Sequence, residues 1–509
     1  MQAVGVCCDV AHRDGRHHSA GRGAPFAGSC HDDLVVNRLG NLDAAFLYVE
    51  EPTLAMHVGS VMVFDPPAEG FDYDRFVSVV GDRVARHGRY RQRIREVPGR
   101  LDNPVWVDDA QFDLAYHVRR SALPTPGARS DLEDFVARIM ARPLDRDRPL
   151  WEAYFVEGLE GGRFAVVTKA HQAMVDGIHA VDLAHLLMDP AAVPADDSTV
   201  APRPEPSSLR LLTDAMLGSL LNPARVVTTV GAGLRDISAT GRRASETAVR
   251  VVSTLAKVGT RPAPDSPLNA HVGAARRYVM VDTDLDDYRQ IRSRLTRGKY
   301  VDDVTINDVI LATVTGALRT WMQTRGLPVT SASTLRVMVP VSIVDGSGDP
   351  LTDAAMTACF IDLPIGENTP SMRLHQIAFA MRQQIESASA EGMGATSLAS
   401  IAGFAPPTLH TLGARLSSVM SRRLSNLVIT NVPGPQQQLQ VEGSQLVETY
   451  PVMPLGRGQG LSIGLTSYDG RVYYGLTGDR DSMADLDLLA QAIEDSLAEL
   501  RSARRTRRA

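Results

Sequence analysis

The chain has few cysteines, no basic excess and no long apolar run, and each lack removes a class of function. Cys7, Cys8 and Cys30 crowd into the first stretch of the chain and Cys359 stands alone in the body, so no disulfide framework is present. A reducing, cytoplasmic setting is expected. Lys and Arg number 53 against 59 Asp and Glu, and the net charge of −6 offers no global basic field to nucleic acid. The longest apolar stretches, Val309–Leu318 and Leu209–Leu221, are too short or, at Asp214, charged, so nothing spans a bilayer. Residues 1–36 lack the apolar run of about 7 to 15 residues that a secretory signal needs. His171, Asp176 and His179 lie close in sequence, but no second ligand cluster accompanies them, and no metal is expected.

What remains is ordinary globular material, 44% apolar and 22% charged. At 509 residues it exceeds one hydrophobic core, so two large domains are expected. Residues 1–36, rich in Gly, His, Arg and Ser without periodicity, read as a disordered tail. From 37 to 205 strands at Val58–Phe64 and Phe164–Ala170 alternate with helices at Phe76–Arg86 and Ile178–Leu187, an α/β layered pattern. Residues 206–270 show no strand signal. They are flanked by Pro202, Pro204 and Pro206 and by Pro262, Pro264 and Pro267, and carry Leu209, Leu212, Met216, Leu217, Leu220 and Leu221 at helical spacing. This reads as a helical connector, its apolar stripe assigned to core packing first and to membrane contact second. A second α/β region covers 271–500, with strands at Tyr278–Val281, Leu335–Val341 and Ala358–Leu363 and a helix opened by Thr305 and Asp308 as a capping box. Residues 501–509 form a basic tail, and Cys359 inside an apolar strand is assigned to packing.

The segment His171-Gln-Ala-Met-Val-Asp-Gly177 leaves an apolar strand through a turn into a helix. Asp176 is placed as an N-cap or an ion-pair anchor, and Gly177 permits close approach of backbone or ligand. Local pattern alone also admits a Gly-containing turn with an incidental histidine.

The company of this segment decides between the readings. It comes with Asp43-Ala-Ala-Phe-Leu47, Met56-His57, Pro143-Leu144-Asp145, Arg148-Pro-Leu-Trp-Glu152 and Asn307-Asp308. Later in the chain stand Val339-Pro-Val-Ser342, Asn431-Val-Pro-Gly-Pro435, Gly460-Leu-Ser-Ile463 and Gly475-Leu-Thr-Gly-Asp479. In order and spacing, from about Leu39 to Leu500, the chain resembles the bacterial wax ester synthase/diacylglycerol acyltransferase family, whose signature is His-His-x-x-x-Asp-Gly.

The resemblance implies two α/β domains of the coenzyme-A-dependent acyltransferase type, with a channel between them and the helical connector joining them. It implies transfer of a long acyl chain from acyl-CoA, a co-substrate, to diacylglycerol or a fatty alcohol, with no other cofactor. Both lipid substrates are membrane-associated, so a peripheral position at the inner membrane or at lipid bodies is expected. The second signature histidine would act as general base, and the aspartate, here Asp176, would hold the loop. This chain departs from the signature: the base position is Gln172, whose amide has no usable proton affinity. His171 is the nearby substitute, yet side chains alternate along a strand, so His171 is expected to face structure and Gln172 the channel.

The resemblance places Asn307, Ser342 and Asn431 in substrate binding. Asp308 serves equally as the acid of a helix cap, and the Asn431 segment has the turn chemistry of a crossover loop. Related patterns carry an arginine two residues after Ser342, where this chain has Val344. A catalytically silent homologue that binds acyl-CoA or neutral lipid is the alternative to an active enzyme.

Overall fold

The computed structural model describes residues 37–175, 183–188, 203–221, 262–295, 304–343, 355–390 and 424–503. The tail expected at 1–36 and residues 222–261 of the connector lie outside them.

The first half runs α1 (Asn41–Val49), β1 (His57–Asp65), α2 (Tyr73–Ala85), the hairpin β2 (Gln92–Arg95) and β3 (Val105–Asp108), α3 (Leu114–His117), β4 (Val118–Ala122), α4 (Arg129–Met140), β5 (Trp151–Glu157), β6 (Phe164–His171), α5 (Gln172–Val175) and α6 (Leu183–Met188). After α7 (Ser208–Leu221) the second half follows with β7 (Arg276–Asp284), α8 (Leu285–Leu295), α9 (Ile306–Thr324), β8 (Leu335–Ile343), β9 (Ala355–Leu363) and α10 (Pro370–Ala390). It closes with β10 (Leu427–Pro433), β11 (Gln440–Val441), β12 (Ser444–Val452), β13 (Leu461–Tyr468), β14 (Arg471–Asp479) and α11 (Leu486–Ser502). The α/β alternation is as expected, and Arg501 and Ser502 belong to the last turn of α11 rather than to a tail.

Two six-stranded sheets carry the molecule, in the orders β11-β12-β1-β6-β5-β4 and β7-β14-β13-β10-β8-β9. In the first, β6 lies antiparallel between β1 and β5, and all eight of its residues are buried. That is why it opens on a continuous apolar run, Phe164–Val167, rather than an alternation, while Thr168, Lys169 and His171 are buried beyond it. Phe64, Phe71, Phe155 and Phe164 stack on this sheet, and Phe76 of α2 closes over Phe155 at 5.4 Å between ring centres. Behind the second sheet, the Val309–Leu318 run is the buried middle of α9, packed with α10 and α11.

The expected boundary at 271 is crossed by the chain itself. β12, from the C-terminal half, pairs antiparallel with β1 from Gly59↔Val452 to Asp65↔Gln445, so the first sheet is completed by a strand almost 400 positions downstream. A second tie is α4 against β7, the edge strand of the second sheet, where Glu133 accepts the Met280 amide at 2.8 Å. Burial pushes the Glu133 carboxyl from its usual 4.5 up to about 7, against the Met280 hydrogen bond and the Arg129 charge. A carboxyl raised in the folded state favours folding fully below the usual value, and this contribution is lost as pH rises through 7. Glu133→Gln keeps the acceptor oxygen and removes the titration. Denaturation midpoints at pH 5 and pH 8 are expected to differ less in the variant than in the parent.

The connector stripe is corrected at Leu209 and Met216, while the side chains of Leu217, Leu220 and Leu221 lie outside the described residues. In α7 the inward side chains are Leu211 and Ala215, whereas Leu209 and Met216 are exposed (71% and 55%). The rotation is set by polar tethers: Arg95 donates to Ser208, Glu205 pairs with Arg93 and Arg95, and the Arg203 amide donates to Asp108. Among the described residues no helix is long and apolar enough to cross a membrane.

Candidate active site

The active-centre segment begins where β6 ends. His171 is the last strand residue, directly opposite His57 on β1, and its amide donates to the Leu150 carbonyl at 2.9 Å. The Arg148-Pro-Leu-Trp-Glu152 segment thereby backs the end of β6. Trp151, fully buried, donates its indole N–H to the Tyr90 carbonyl at 2.8 Å and stacks on His117. Glu152 receives Arg119 at 2.8 Å and lies 3.5 Å from the ammonium of Lys169, which is buried on β6. Lys169 donates to the carbonyls of Ile139 and Arg142, and Nδ1 of His57 donates to the Met140 carbonyl. The carbonyls at the end of α4, which have no partner within the helix, are thus answered from β1 and β6. Desolvation lowers the Lys169 pKa, opposed by the Glu152 charge.

His171 is 1% exposed, and its ring is hydrogen-bonded through Nδ1. Nδ1 accepts the Ala173 amide at 3.0 Å, which places the ring proton on Nε2, 3.7 Å from Oε2 of Glu50. Desolvation pushes its pKa down to about 4, against the Glu50 charge. His171 is therefore neutral near pH 7, with no free lone pair to take a proton. Gln172 opens α5. Its amide donates to the Met56 carbonyl at 2.9 Å and its side chain is half-buried, so the two neighbours differ in exposure, although the strand ends at His171 and does not continue to Gln172. Asp176 and Gly177 lie outside the described residues, as do Ile178 and His179.

The distal candidates are partly brought together. Asn431 on β10 donates its side-chain amide to the side-chain oxygen of Asn307, on the first turn of α9, at 3.0 Å. Asn307 and Asn431 are half-buried, and 124 positions separate them. Ser342 lies on β8 opposite Met356, with its side chain outside the described residues, and Val344 is likewise outside. Asp308 turns back: it accepts from the amide and hydroxyl of Thr305 at 2.7 and 2.8 Å, and its own amide donates to the Thr305 hydroxyl. It is buried and serves the cap, so Thr305→Ala is expected to lower stability by about 1 kcal/mol in chemical denaturation. Cys359 is buried in β9, as its apolar context implies.

Sequence reading missed Glu50, which follows α1. Its carboxylate faces His57 and His171 and accepts from Arg146 at 2.6 Å. One acid of the pair Glu50-Glu51 ahead of Pro52 carries no spacing signal, and only the sheet register His57↔His171 brings the two imidazoles to it. Among the described residues no three His, Cys, Asp or Glu side chains are grouped as metal ligands are.

Known proteins resemble the chain in sequence and in fold. The pattern described as the wax ester synthase/diacylglycerol acyltransferase catalytic domain matches residues 39–310, and the C-terminal domain pattern of the same family matches 354–501. A probable diacylglycerol O-acyltransferase of Mycobacterium tuberculosis is 34% identical over 467 residues, covering 91% of this chain and 96% of its own. A wax ester synthase/diacylglycerol acyltransferase from Marinobacter aquaeolei VT8 superposes with a TM-score of 0.62 at 26% identity, over 91% of this chain and 98% of that one. A starter condensation domain of rhizomide synthetase, 12% identical, shares the fold at a TM-score of 0.52, over 92% of this chain and 96% of that one. On the family patterns and the full-length relative together, the chain belongs to the wax ester synthase/diacylglycerol acyltransferase family.

Proposed function

We propose that this acyltransferase moves a long acyl chain from acyl-CoA to the free hydroxyl of diacylglycerol, giving triacylglycerol and free coenzyme A. Fatty alcohols are further acceptors, giving wax esters. Acyl-CoA is a co-substrate, and no metal or prosthetic group takes part. The observation that carries this reading is the placement of position 172 in a chain of this family: it follows the end of a fully buried central strand and presents a half-buried side chain.

In the reaction the hydroxyl oxygen attacks the thioester carbonyl, the C–O bond forms and the C–S bond breaks. The hydroxyl proton ends on the departing thiolate. A base at position 172 carries that proton in between, and Gln172 has no such capacity. Its carboxamide oxygen can accept the hydroxyl hydrogen bond and orient the nucleophile, so positioning remains while proton transfer falls to the thiolate or to water. Turnover is therefore slow. The lipid acceptors are membrane-associated, so the contact is peripheral, on the cytoplasmic side at the inner membrane or at lipid bodies. Leu209 and Met216, exposed on α7, support it.

The use of the His171 lone pair at Nδ1 by the Ala173 amide, beside an amide at 172, favours a second reading: a silent homologue that holds acyl-CoA or neutral lipid. Purified chain incubated with radiolabelled palmitoyl-CoA and dioleoylglycerol separates the two. Triacylglycerol exceeding one equivalent per protein is expected. Bound palmitoyl-CoA without product, over hours, decides for the silent binder.

A further inference from the structure

The start of α5 is tied to a single carboxylate by two arms. Oε1 of Glu50 accepts the Met56 amide at 3.3 Å, and the Met56 carbonyl accepts the Gln172 amide at 2.9 Å. Oε2 of Glu50 faces Nε2 of His171 at 3.7 Å, and Nδ1 of His171 accepts the Ala173 amide at 3.0 Å. The first amides of a helix have no acceptor within it. Here Gln172 and Ala173 find theirs in one backbone carbonyl and one imidazole, and both arms return to Glu50.

The carboxylate is itself held. Its side chain is 9% exposed, and Arg146 donates Nε and Nη2 to Oε2 at 3.2 and 2.6 Å. On the other side Oε1 lies 3.5 Å from Nε2 of His57, whose Nδ1 donates to Met140. Among the described residues, Nε2 of His171 is buried without a hydrogen-bond partner, and the Glu50 carboxylate is the charge that favours its proton there. With the proton moved to Nδ1, the ring would meet the Ala173 amide donor to donor, and the first turn of α5 would lose its anchor.

We propose that Glu50 is a positioning residue for acyl transfer: it fixes the His171 proton on Nε2 and, through His171 and Met56, sets the first turn of α5 and hence the side chain at position 172. The role in transfer rests on the function proposed above; the tautomer does not.

Glu50→Gln keeps the shape and an acceptor oxygen for Met56 but removes the charge. Introduced into the Gln172→His chain, it is expected to lower kcat by about 10- to 100-fold while KM for palmitoyl-CoA stays within about three-fold. A kcat held within about two-fold, or a loss carried by KM, overturns the proposal. The second measurement uses the unmodified chain labelled with ¹⁵N-histidine, the His171 signals being assigned by their loss in His171→Asn. Nδ1 is expected at an unprotonated shift and Nε2 at a protonated one near pH 7. The reverse tautomer, or an even mixture, overturns the proposal whether or not any variant turns over. If Gln172→His forms no product with any acceptor, the function fails separately, and the tautomer still decides the case of Glu50: Glu50→Gln in the unmodified chain is expected to weaken the Nε2 preference, and an unchanged preference overturns the proposal.

Discussion

Gln172→His is expected to raise triacylglycerol formation by about 10² to 10⁴-fold, the usual contribution of a positioned general base, or roughly 3 to 5 kcal/mol of barrier. In the chain as it stands, the amide at 172 binds a hydroxyl but does not take its proton, and His171 spends Nδ1 on the Ala173 amide and faces Glu50 with Nε2. The substitution leaves the backbone alone, because position 172 is held through its amide to the Met56 carbonyl, which any residue but proline supplies. The side chain there is half-buried, unlike His171, so an imidazole escapes the full desolvation that drives His171 down to about 4. It should titrate near its ordinary value of about 6.5 and be unprotonated at neutral pH. The kcat/KM profile of the variant is expected to gain an acid limb near that pH, absent from the parent. Equal rates in parent and variant would place the proton acceptor elsewhere and sink this account of Gln172.

Much of the fold was legible because its signals are local or continuous. Buried on both faces, β6 opens on the apolar run Phe164–Val167, and α9 opens at Thr305 because the capping box is complete within four residues. Features set by tertiary contact were not legible. α7 is apolar on both faces, so its sequence cannot say that Leu211 turns inward and Leu209 outward; the tethers from Arg93, Arg95 and Asp108 decide. Nothing in Ser444–Val452 announces that it will pair with β1, because its partner is supplied by the other half of the chain. The candidate site divides in the same way. The order of the motifs pointed to Asn307 and Asn431 separately, while their hydrogen bond depends on where α9 meets β10. Glu50 gained its two imidazoles only through the pairing of β1 with β6.

That long-range pairing makes Gly475→Ala the most damaging small substitution expected in the second sheet, with a loss of about 3 kcal/mol or insoluble expression. Gly475 on β14 lies directly across from Gly464 on β13, and β12 passes over the pair on its way to the first sheet. A Cβ at 475 would stand 1.8 Å from the Pro451 carbonyl oxygen, and one at 464 would stand 3.1 Å from the Pro451 Cβ. The obstacle at 475 is backbone, not the end of a flexible side chain. Nor can β12 retreat: Pro451 is paired opposite Ser60 in the ladder with β1, and its carbonyl accepts the Tyr278 hydroxyl at 3.0 Å. Relief at Gly475 therefore costs pairing in the first sheet, on the strand that begins with His57. Gly470→Ala is the control. Its φ is +78°, with nothing among the described residues within 4 Å of an added Cβ, so it carries only the left-handed backbone cost of about 1 to 2 kcal/mol. Urea midpoints, or thermal inactivation rates if unfolding is irreversible, are expected to rank the parent above Gly470→Ala and both above Gly475→Ala. A Gly475→Ala chain as stable as the parent would mean that β12 does not cross there. In the Gln172→His background the Gly475→Ala chain should also lose transfer activity, because displacing β12 disturbs β1 and the register that sets His57 against His171.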